Sequence, residues 1–441
     1  MRNIKTQMLS GWGNVPRESC SQIRPEKYRD IFPSKNLLQS HSFTSLIARG
    51  QGKSYGDASL NHNNLIVLTE RLNRFIEFNP ANGVLSAEAG VTLHEILEVI
   101  VPQGWFLPVT PGTQYVSLGG CVASDVHGKN HHKIGSFGQH IISLEVILAE
   151  DQTIQCSNKI NQDLFWATIG GMGLTGIIGK ITFQLIPLNS SNMRVKNIPA
   201  KNLEEAFYYL NESQYDDDYT VAWIDTFQER SIIMSAHHDN TPEKFASNNK
   251  AHLSIPFNCP SNLLNKTTIN LFNSVYYNTQ SQKKSIYNTS YQKYFYPLDN
   301  ILHWNRLYGK RGFVQYQCVI PSENALIGIK KILAKKCASF LAVLKRLGPQ
   351  NKGLLSFPLS GFTLALDIPY RGQATQLLLQ DFNHIVKEAG GRVYLAKDAF
   401  LSPEDFRLMY PALDKFLSVK NKYDPHHLFQ SSLSRRLKLH E

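Results

Sequence analysis

The chain has 441 residues, 42% of them hydrophobic and 18% charged, which is an ordinary globular balance and enough length for two or three domains with a sizeable core. A net charge of +11 favours anionic partners, but the lysines and arginines are scattered and no nucleic-acid motif occurs, which argues against a nucleic-acid binder. The six cysteines (Cys20, Cys121, Cys156, Cys259, Cys318, Cys337) form no C-x-x-C pair and no metal spacing. They read as buried small hydrophobes of a reducing compartment, and no metal site is expected. The N-terminus, MRNIKTQMLSGWG, lacks the apolar stretch of a secretory signal, and no run of 18 or more apolar residues occurs, so neither a signal peptide nor a membrane-spanning helix is expected.

In chain order, Leu46–Ala48 is a short strand entering the glycine-rich turn ARGQGKSYGD, the pattern of a strand that ends in a ligand loop. The spacing is neither that of a dinucleotide fingerprint before a helix nor that of a P-loop. Leu65–Leu68 and Gly83–Ala89 read as strands. Thr92–Val101 carries Leu93, Ile96, Leu97 and Ile100 at helical spacing, with Thr92 and Glu95 set for a capping box. The densest stretch follows at 108–138, PVTPGTQYVSLGGCVASDVHGKNHHKIGSFG. It holds the Pro111-Gly112 turn, the Gly119-Gly120 pair and the polar run His127 to His132. Glycine admits φ > 0 and lets a ligand approach the main chain, and amides exposed in such turns can cradle a pyrophosphate. One glycine pair alone would be a surface loop. Three clusters, the third at Gly170–Gly176, point to a planar anionic cofactor lying against backbone.

Ile142–Ala149 is a predicted strand, Asp151-Gln152 a turn, Asp163 to Trp166 the start of a helix and Ile177–Ile186 a strand. The first 187 residues therefore read as an α+β domain of short elements joined by glycine turns. From about 191 the elements lengthen. Val221–Thr226 and Ser231–Ala236 are predicted strands. Residues 239 to 292, rich in Asn, Ser, Lys and Tyr and weakly periodic, read as a long, mobile surface excursion of the lid type. Phe313–Ile320 is a strand that puts Gln315 and Gln317 on one face and Tyr316 on the other. Those two amides could grip a polyol, or they could simply face solvent. Ala325–Lys336 and Ala374–Ala389 are helices flanking a Phe362–Ile368 strand. Val393–Asp398 is a strand carrying Lys397, and the last helix begins at Ser402 with Pro403 in its first turn.

Seven pieces in this order, ARGQGKSYGDA (48–58), PVTPGT (108–113), HGKNHHKIGSFG (127–138), LFWATIGGMGLTGII (164–178), HWNRLYGKRGFVQYQ (303–317), YLAKD (394–398) and MYPALDKF (409–416), cover nearly the whole chain. Together they resemble the vanillyl-alcohol-oxidase superfamily of FAD-dependent oxidases and, within it, the decaprenylphosphoryl-ribose 2-oxidase family, the flavin subunits of an epimerase. The resemblance implies an α+β, two-domain fold with a flavin domain of the p-cresol-methylhydroxylase type. That domain would be residues 1–190 with a C-terminal return at 392–441. A cap of antiparallel sheet plus helices, 191–391, would cover the substrate.

The resemblance also implies which residues meet FAD. They are Arg49, Gly50, Gln51, Gly52, Lys53, Ser54, Tyr55, Gly56, Asp57 and Ala58 of the first loop. Gly112, Ser117, Leu118, Gly119 and Gly120 belong to the second, followed by Ser124, Asp125, Val126 and His127, with Ile177 and Tyr394 along the cofactor. Relatives that bind flavin covalently use a histidine where this chain has Lys53, so the implied FAD is non-covalent. Oxidising a secondary alcohol at a flavin needs a base for the hydroxyl proton. A lone lysine is usually a surface charge, but the YLAKD motif makes Lys397 the match for the essential lysine, with Tyr55 and His127 beside the flavin. Lys129, Gln315, Gln317 and Lys345 match substrate-side positions, and the lysines suit a phosphate-bearing substrate. Thr363 stands where mycobacterial members carry a polar amide, and Ala365 where they carry a cysteine facing the flavin.

The implied activity is oxidation of the 2-hydroxyl of a polyprenyl-phosphate-linked pentose to the 2-keto sugar, a step of cell-envelope biosynthesis. The implied partners are a separate NADH-dependent keto-reductase, a quinone or oxygen as acceptor, and a peripheral membrane contact. The expected location is cytoplasmic or peripheral at the inner membrane. Two other readings are an aldonolactone or alditol oxidase of the same superfamily that uses oxygen, and a flavin- or anion-binding module without turnover. Lys53 argues against the first, and the presence of Lys397, Tyr55 and His127 against the second.

Overall fold

The computed structural model describes residues 4–32, 35–239, 253–260, 262–283 and 285–439. Among the described residues the N-terminal half holds two main sheets and a two-stranded one, Trp105–Phe106 with Ile186–Pro187. In the first, the hairpin Lys5–Ser10/Arg17–Ile23 is antiparallel, and Arg17–Ile23, Leu65–Leu68 and Leu46–Arg49 then run parallel. The second is antiparallel, in the order Phe75–Asn79, Val84–Glu88, Ile177–Gln184, Ile141–Ile147, Thr153–Ser157. The predicted helix forms at Leu93–Ile100. Thr92 accepts from the Glu95 amide and Glu95 bonds back, while Leu93, Ile96, Leu97 and Ile100 face the core.

The second half is built on one antiparallel sheet of eight strands. Its order is Ile286–Ser290, Asn192–Ala200, Ser231–His238, Tyr219–Ile224, Ala342–Leu347, Gly361–Pro369, Phe313–Pro321, Arg392–Val393. The helices Leu203–Asp216, Ser322–Ala334 and Gln373–Glu388 pack against it. The last two do so through Ile329, Ile332 and Leu333, and through Leu379, Phe382 and Val386. Tyr316 joins this layer, its ring 5.2 Å from Phe382. Gln315 and Gln317 take the opposite face, as the alternation of the strand requires.

The C-terminal segment returns to the N-terminal sheets. Leu46 donates its amide to Leu428, the buried Lys420 ammonium bonds Asp424 at 2.7 Å and Leu174 O at 2.9 Å, and Arg436 grips Asp57 with two bonds of 2.8 Å. The fold is thus α+β with two sheet systems facing one another.

Three expectations change. The excursion is not bare loop: its described part holds the helix Lys266–Ser281 and the edge strand Ile286–Ser290. The helix escaped the periodicity test because its inward positions include Asn273, whose amide bonds the buried Asp225, while Leu271, Phe272 and Val275 point outward. The lid reading also covers residues 240–252, 261 and 284, which lie outside the described residues. Second, Lys397 is on a turn, not a strand. The ladder ends at Val393, and Lys397 and Asp398 donate their amides back to Tyr394 and Leu395. Third, the helix at Ser402 (Pro403–Met409) is followed by Leu413–Tyr423 and Ser432–Arg436.

Candidate active site

The first glycine loop leaves the parallel sheet at Arg49, whose guanidinium is spent on Ser59 and on Ser10 O at 2.7 Å. Among the described residues no hydrogen bond takes the amides of Gly50, Gln51, Gly52, Lys53 or Ser54. Gly52 has φ +62°, and a Cβ on Gly50 would stand 2.0 Å from Ser117 Oγ, so the loop lies flat against the second glycine segment. A Cβ on Gly112 would meet nothing within 4 Å. Free amides on a half-exposed, side-chain-poor ledge fit the pyrophosphate of FAD. Within 118–120 the amides are used internally: Leu118 donates to Val91, Gly119 to Ala89 and Gly120 to Ser117 Oγ.

Several residues expected at FAD are tied into the frame. Asp57 is held by Arg436, which also holds Asp398 at 2.8 Å. Asp125 accepts from Ser136 Oγ, the Gly138 amide and Asn351. Any contact these two make with a cofactor therefore runs through backbone. Ala58 and Leu118 are buried in separate apolar clusters. Ile177 is buried with Leu46, Ile147 and Phe429. Val126 packs at the edge of the core, and Tyr394 stacks on Phe357 and donates to Ser124 O at 2.8 Å. The Lys53 ammonium sits 3.8 Å from the Trp12 ring centroid. Gly56 packs so tightly on the lysine-bearing turn that a Cβ there would be 1.5 Å from Asp398 O, and the Tyr55 amide donates to Ala396 O.

The other wall is the free face of the eight-stranded sheet. Register puts Gln315 opposite Asp367, Gln317 opposite Ala365 and Lys345 opposite Thr363, so all six side chains emerge on one face. Gln317 Nε2 donates to Thr363 Oγ1 at 3.0 Å and to His127 Nε2 at 2.9 Å. His127 is buried, and burial, then the charges of Lys345, His131 and Lys397, hold its pKa well below the usual value, so the ring is neutral. With Nε2 accepting, the proton lies on Nδ1, which is sealed from solvent and has no partner in the protein. That N–H is a donor available to a ligand. The Gln315 amide bonds Asp367, which the Tyr308 hydroxyl also approaches at 3.5 Å.

Lys397 lies 4.0 Å from the Tyr55 ring centroid. Burial pulls its pKa down, Asp367 pulls it back up and Lys345 lowers it again; burial pushes Asp367 up. The pair is poised to share one proton near neutrality. Lys345 is lowered to about 8 by burial, and Lys129 to about 7 by burial and then by Lys345. Lys129 donates to Tyr294 O and lies 3.9 Å from the Tyr294 ring. Lys345 and Lys397 make no hydrogen bond or ion pair among the described residues, and all three lysines, though deeply surrounded, keep part of their surface accessible. Three lysine side chains therefore converge on a space with one buried carboxylate, and of the three Lys345 holds its charge to the highest pH.

The fold thus brings Tyr55, His127, Lys129, Gln315, Gln317, Lys345, Thr363, Ala365 and Lys397 around one space. Sequence reasoning missed Asp367, Tyr308 and His131. Asp367 follows Thr363 and Ala365 at a spacing of two on one strand, so alternation alone could have found it. His131 and Tyr308 lie inside the motifs HGKNHHKIGSFG and HWNRLYGKRGFVQYQ, but nothing in those motifs says that these two side chains reach the site.

Residues 36–157 match a family model described as an FAD binding domain, and residues 181–437 one described as D-arabinono-1,4-lactone oxidase. The chain is similar to decaprenylphosphoryl-β-D-ribose oxidase of Mycolicibacterium smegmatis, with 32% identity over 98% of each chain. It is 31% identical, over 79% of its length and all of the relative's, to an uncharacterized protein in the mprA 5′ region of Streptomyces coelicolor. L-gulonolactone oxidase of Mus musculus is 25% identical over 82% of each chain.

Proposed function

From the premise that the chain belongs to the FAD-dependent oxidase family of decaprenylphosphoryl-β-D-ribose oxidase and D-arabinono-1,4-lactone oxidase, we propose that it oxidises the 2-hydroxyl of a polyprenyl-phosphate-linked pentose to the 2-keto sugar. It is an oxidoreductase acting on CH–OH groups, with FAD as cofactor. The observation that carries the choice of substrate is the convergence of Lys129, Lys345 and Lys397 on one space, where Asp367 is the carboxylate beside Lys397 and none acts on Lys345 or Lys129. Buried charges without partners are costly, and a phosphate diester would pair them. A neutral lactone or alditol would leave them unpaired. The match to a lactone-oxidase model keeps that second reading on the test panel.

Bound FAD supplies the acceptor for the electron pair of the broken C–H bond. Neutral Lys397 takes the hydroxyl proton, with Asp367 beside it to hold the resulting ammonium. Gln317 and His127 offer hydrogen bonds to sugar or flavin, and Lys345 and Lys129 hold the phosphate. The residues would divide as 1–190 and 392–441 around FAD, with 191–391 as the cap. The keto product would pass to a separate NADH-dependent reductase, and a quinone or oxygen would reoxidise the flavin. Anaerobic mixing with lipid-linked ribose phosphate should bleach the flavin, whereas free lactones and alditols should do so at least about tenfold more slowly, the scale of one lost charged contact. Faster bleaching by a neutral lactone would overturn the proposal.

A lipid tail also needs an apolar approach. Five large apolar residues of the proposed cap, Leu253, Phe257, Leu271, Phe272 and Val275, are exposed. From Phe272 an aromatic series runs inward through Phe340 (5.6 Å), Tyr308 (5.8 Å), Phe313 (4.0 Å) and Tyr55 (5.4 Å) to the site. No helix among the described residues is long and apolar enough to cross a membrane. We therefore propose peripheral docking of these exposed residues on an anionic bilayer, with the protein's net positive charge assisting. Flotation with anionic liposomes should exceed that with neutral ones and weaken as salt rises. Equal binding to both vesicle types, or to neither, would refute it.

A further inference from the structure

The nine-residue strand Phe313–Pro321 is paired along one side for its whole length by Gly361–Pro369. On its other side Arg392–Val393 covers only Cys318 and Val319. Beyond that point the chain turns away through Lys397, leaving a gap in the sheet edge beside residues 314–316. Asp367 donates its amide to Leu341, away from Gln315. Gln315, opposite it, therefore aims its own amide and carbonyl into the gap.

A small cavity, with room for about one water, fills this gap. Lys397 and Gln315 bound it on the side of the candidate active site, and Tyr316, Leu379 and Asn383 on the helix side. The Tyr316 hydroxyl and Asn383 Oδ1 are both sealed from bulk solvent and have no hydrogen-bond partner in the protein. Leaving a buried polar atom unmet is costly, so two such atoms lining one small space require an occupant. Its size and its donors and acceptors select a water molecule.

We propose that this cavity holds an ordered water which, with the Tyr316 hydroxyl, carries the substrate's hydroxyl proton from Lys397 through the sheet to its helix side. The inference rests on the oxidation proposed above. In that reaction the C–H electron pair goes to FAD and the hydroxyl proton goes to Lys397. Lys397 must then return it to solvent while cofactor and substrate cover the front of the site. Through the gap, Lys397 gives its proton to the water, the water gives one to the Tyr316 oxygen, and Tyr316 releases its own outward. The carboxylates acting on Tyr316 from that side are Asp398 and Asp405. Asp398 is committed to Arg436, whereas Asp405 is part-exposed and paired with the part-exposed Lys387, so the proposed exit runs towards Asp405. Tyr316 touches neither substrate nor flavin, so its role is to relay.

The test uses FAD-bound protein and the variant Tyr316→Phe, which keeps the ring packed on Phe382. A crystal structure of the wild-type holoenzyme should show a water within hydrogen-bond distance of Tyr316 Oη. A dry cavity overturns the proposal, whatever the substrate. In anaerobic stopped flow with a pH indicator, wild-type protein should release its proton in step with flavin bleaching. Tyr316→Phe should release it about 100-fold or more slowly, the low end of an acid–base contribution once the relay is cut, and should change the solvent isotope effect. Proton release at the wild-type rate with an unchanged isotope effect in Tyr316→Phe also overturns it. If lipid-linked ribose phosphate fails to bleach the wild-type flavin, the substrate proposal falls, and the relay is read with whichever alcohol of the panel does bleach it.

Discussion

The two walls of the site are made of different material. The wall proposed for the flavin is backbone: amides of Gly50 to Ser54 left free, glycines pressed on Ser117 and Asp398, and carboxylates such as Asp57 and Asp125 committed to the frame. The wall proposed for the substrate is side chain: Lys345, Lys397, Asp367, Gln315 and Gln317 on or beside one sheet face. A backbone wall binds through shape and fixed dipoles, so it tolerates changes of charge and fails on added bulk. A side-chain wall works through charge and proton affinity, so it should fail on neutralisation and respond to pH.

The sharpest break in that contrast is Lys397→Met. It keeps the apolar stem and removes the ammonium, so FAD should stay bound while anaerobic flavin reduction falls by about 100-fold or more. Near-normal reduction would remove the lysine from the chemistry, and loss of FAD would assign it to the backbone wall. Next comes Lys345→Met, which should raise KM for a phosphate-bearing substrate by about 10- to 100-fold, the worth of a charged hydrogen bond, and leave KM for neutral alcohols nearly unchanged, while the loss of its charge lets the pKa of Lys397 rise.

The pH profile carries the same distinction. Proton abstraction needs neutral Lys397, a form gained as pH rises through neutrality. Phosphate binding needs charged Lys345, a form lost as pH rises through about 8. For a phosphate-bearing substrate kcat/KM should therefore rise and then fall, by up to about tenfold per pH unit on each limb, and Lys345→Met should flatten the alkaline limb. A profile that is flat from pH 6 to 9 would contradict both assignments.

Gly56→Ala probes the backbone wall. Its Cβ would collide with Asp398 O, so stability should drop by about 1–3 kcal/mol through overpacking, and FAD retention should fall. Charge-dependent discrimination between substrates should survive in the protein that still binds FAD. If that discrimination disappears while FAD remains, the two walls are not separable.

The sequence by itself determined most of the elements and the places of the glycine turns. Glycine clusters, the Thr92–Glu95 capping box and strand alternation are local rules, obeyed within a few residues, and the alternation correctly put Tyr316 opposite Gln315 and Gln317. The tertiary structure alone decided the rest. The partnership of Gln315 with Asp367 and the convergence of Lys129, Lys345 and Lys397 depend on strand register between distant segments, which no local pattern encodes. The turn that carries Lys397 forms where the amides of Lys397 and Asp398 bond back to Tyr394 and Leu395 instead of continuing along Phe313–Pro321, and the helix Lys266–Ser281 turns a polar side inward because Asp225 waits there for Asn273. Charge and hydrogen-bond partners act at contact distance, so which residues share a site is settled only when the chain has folded around it.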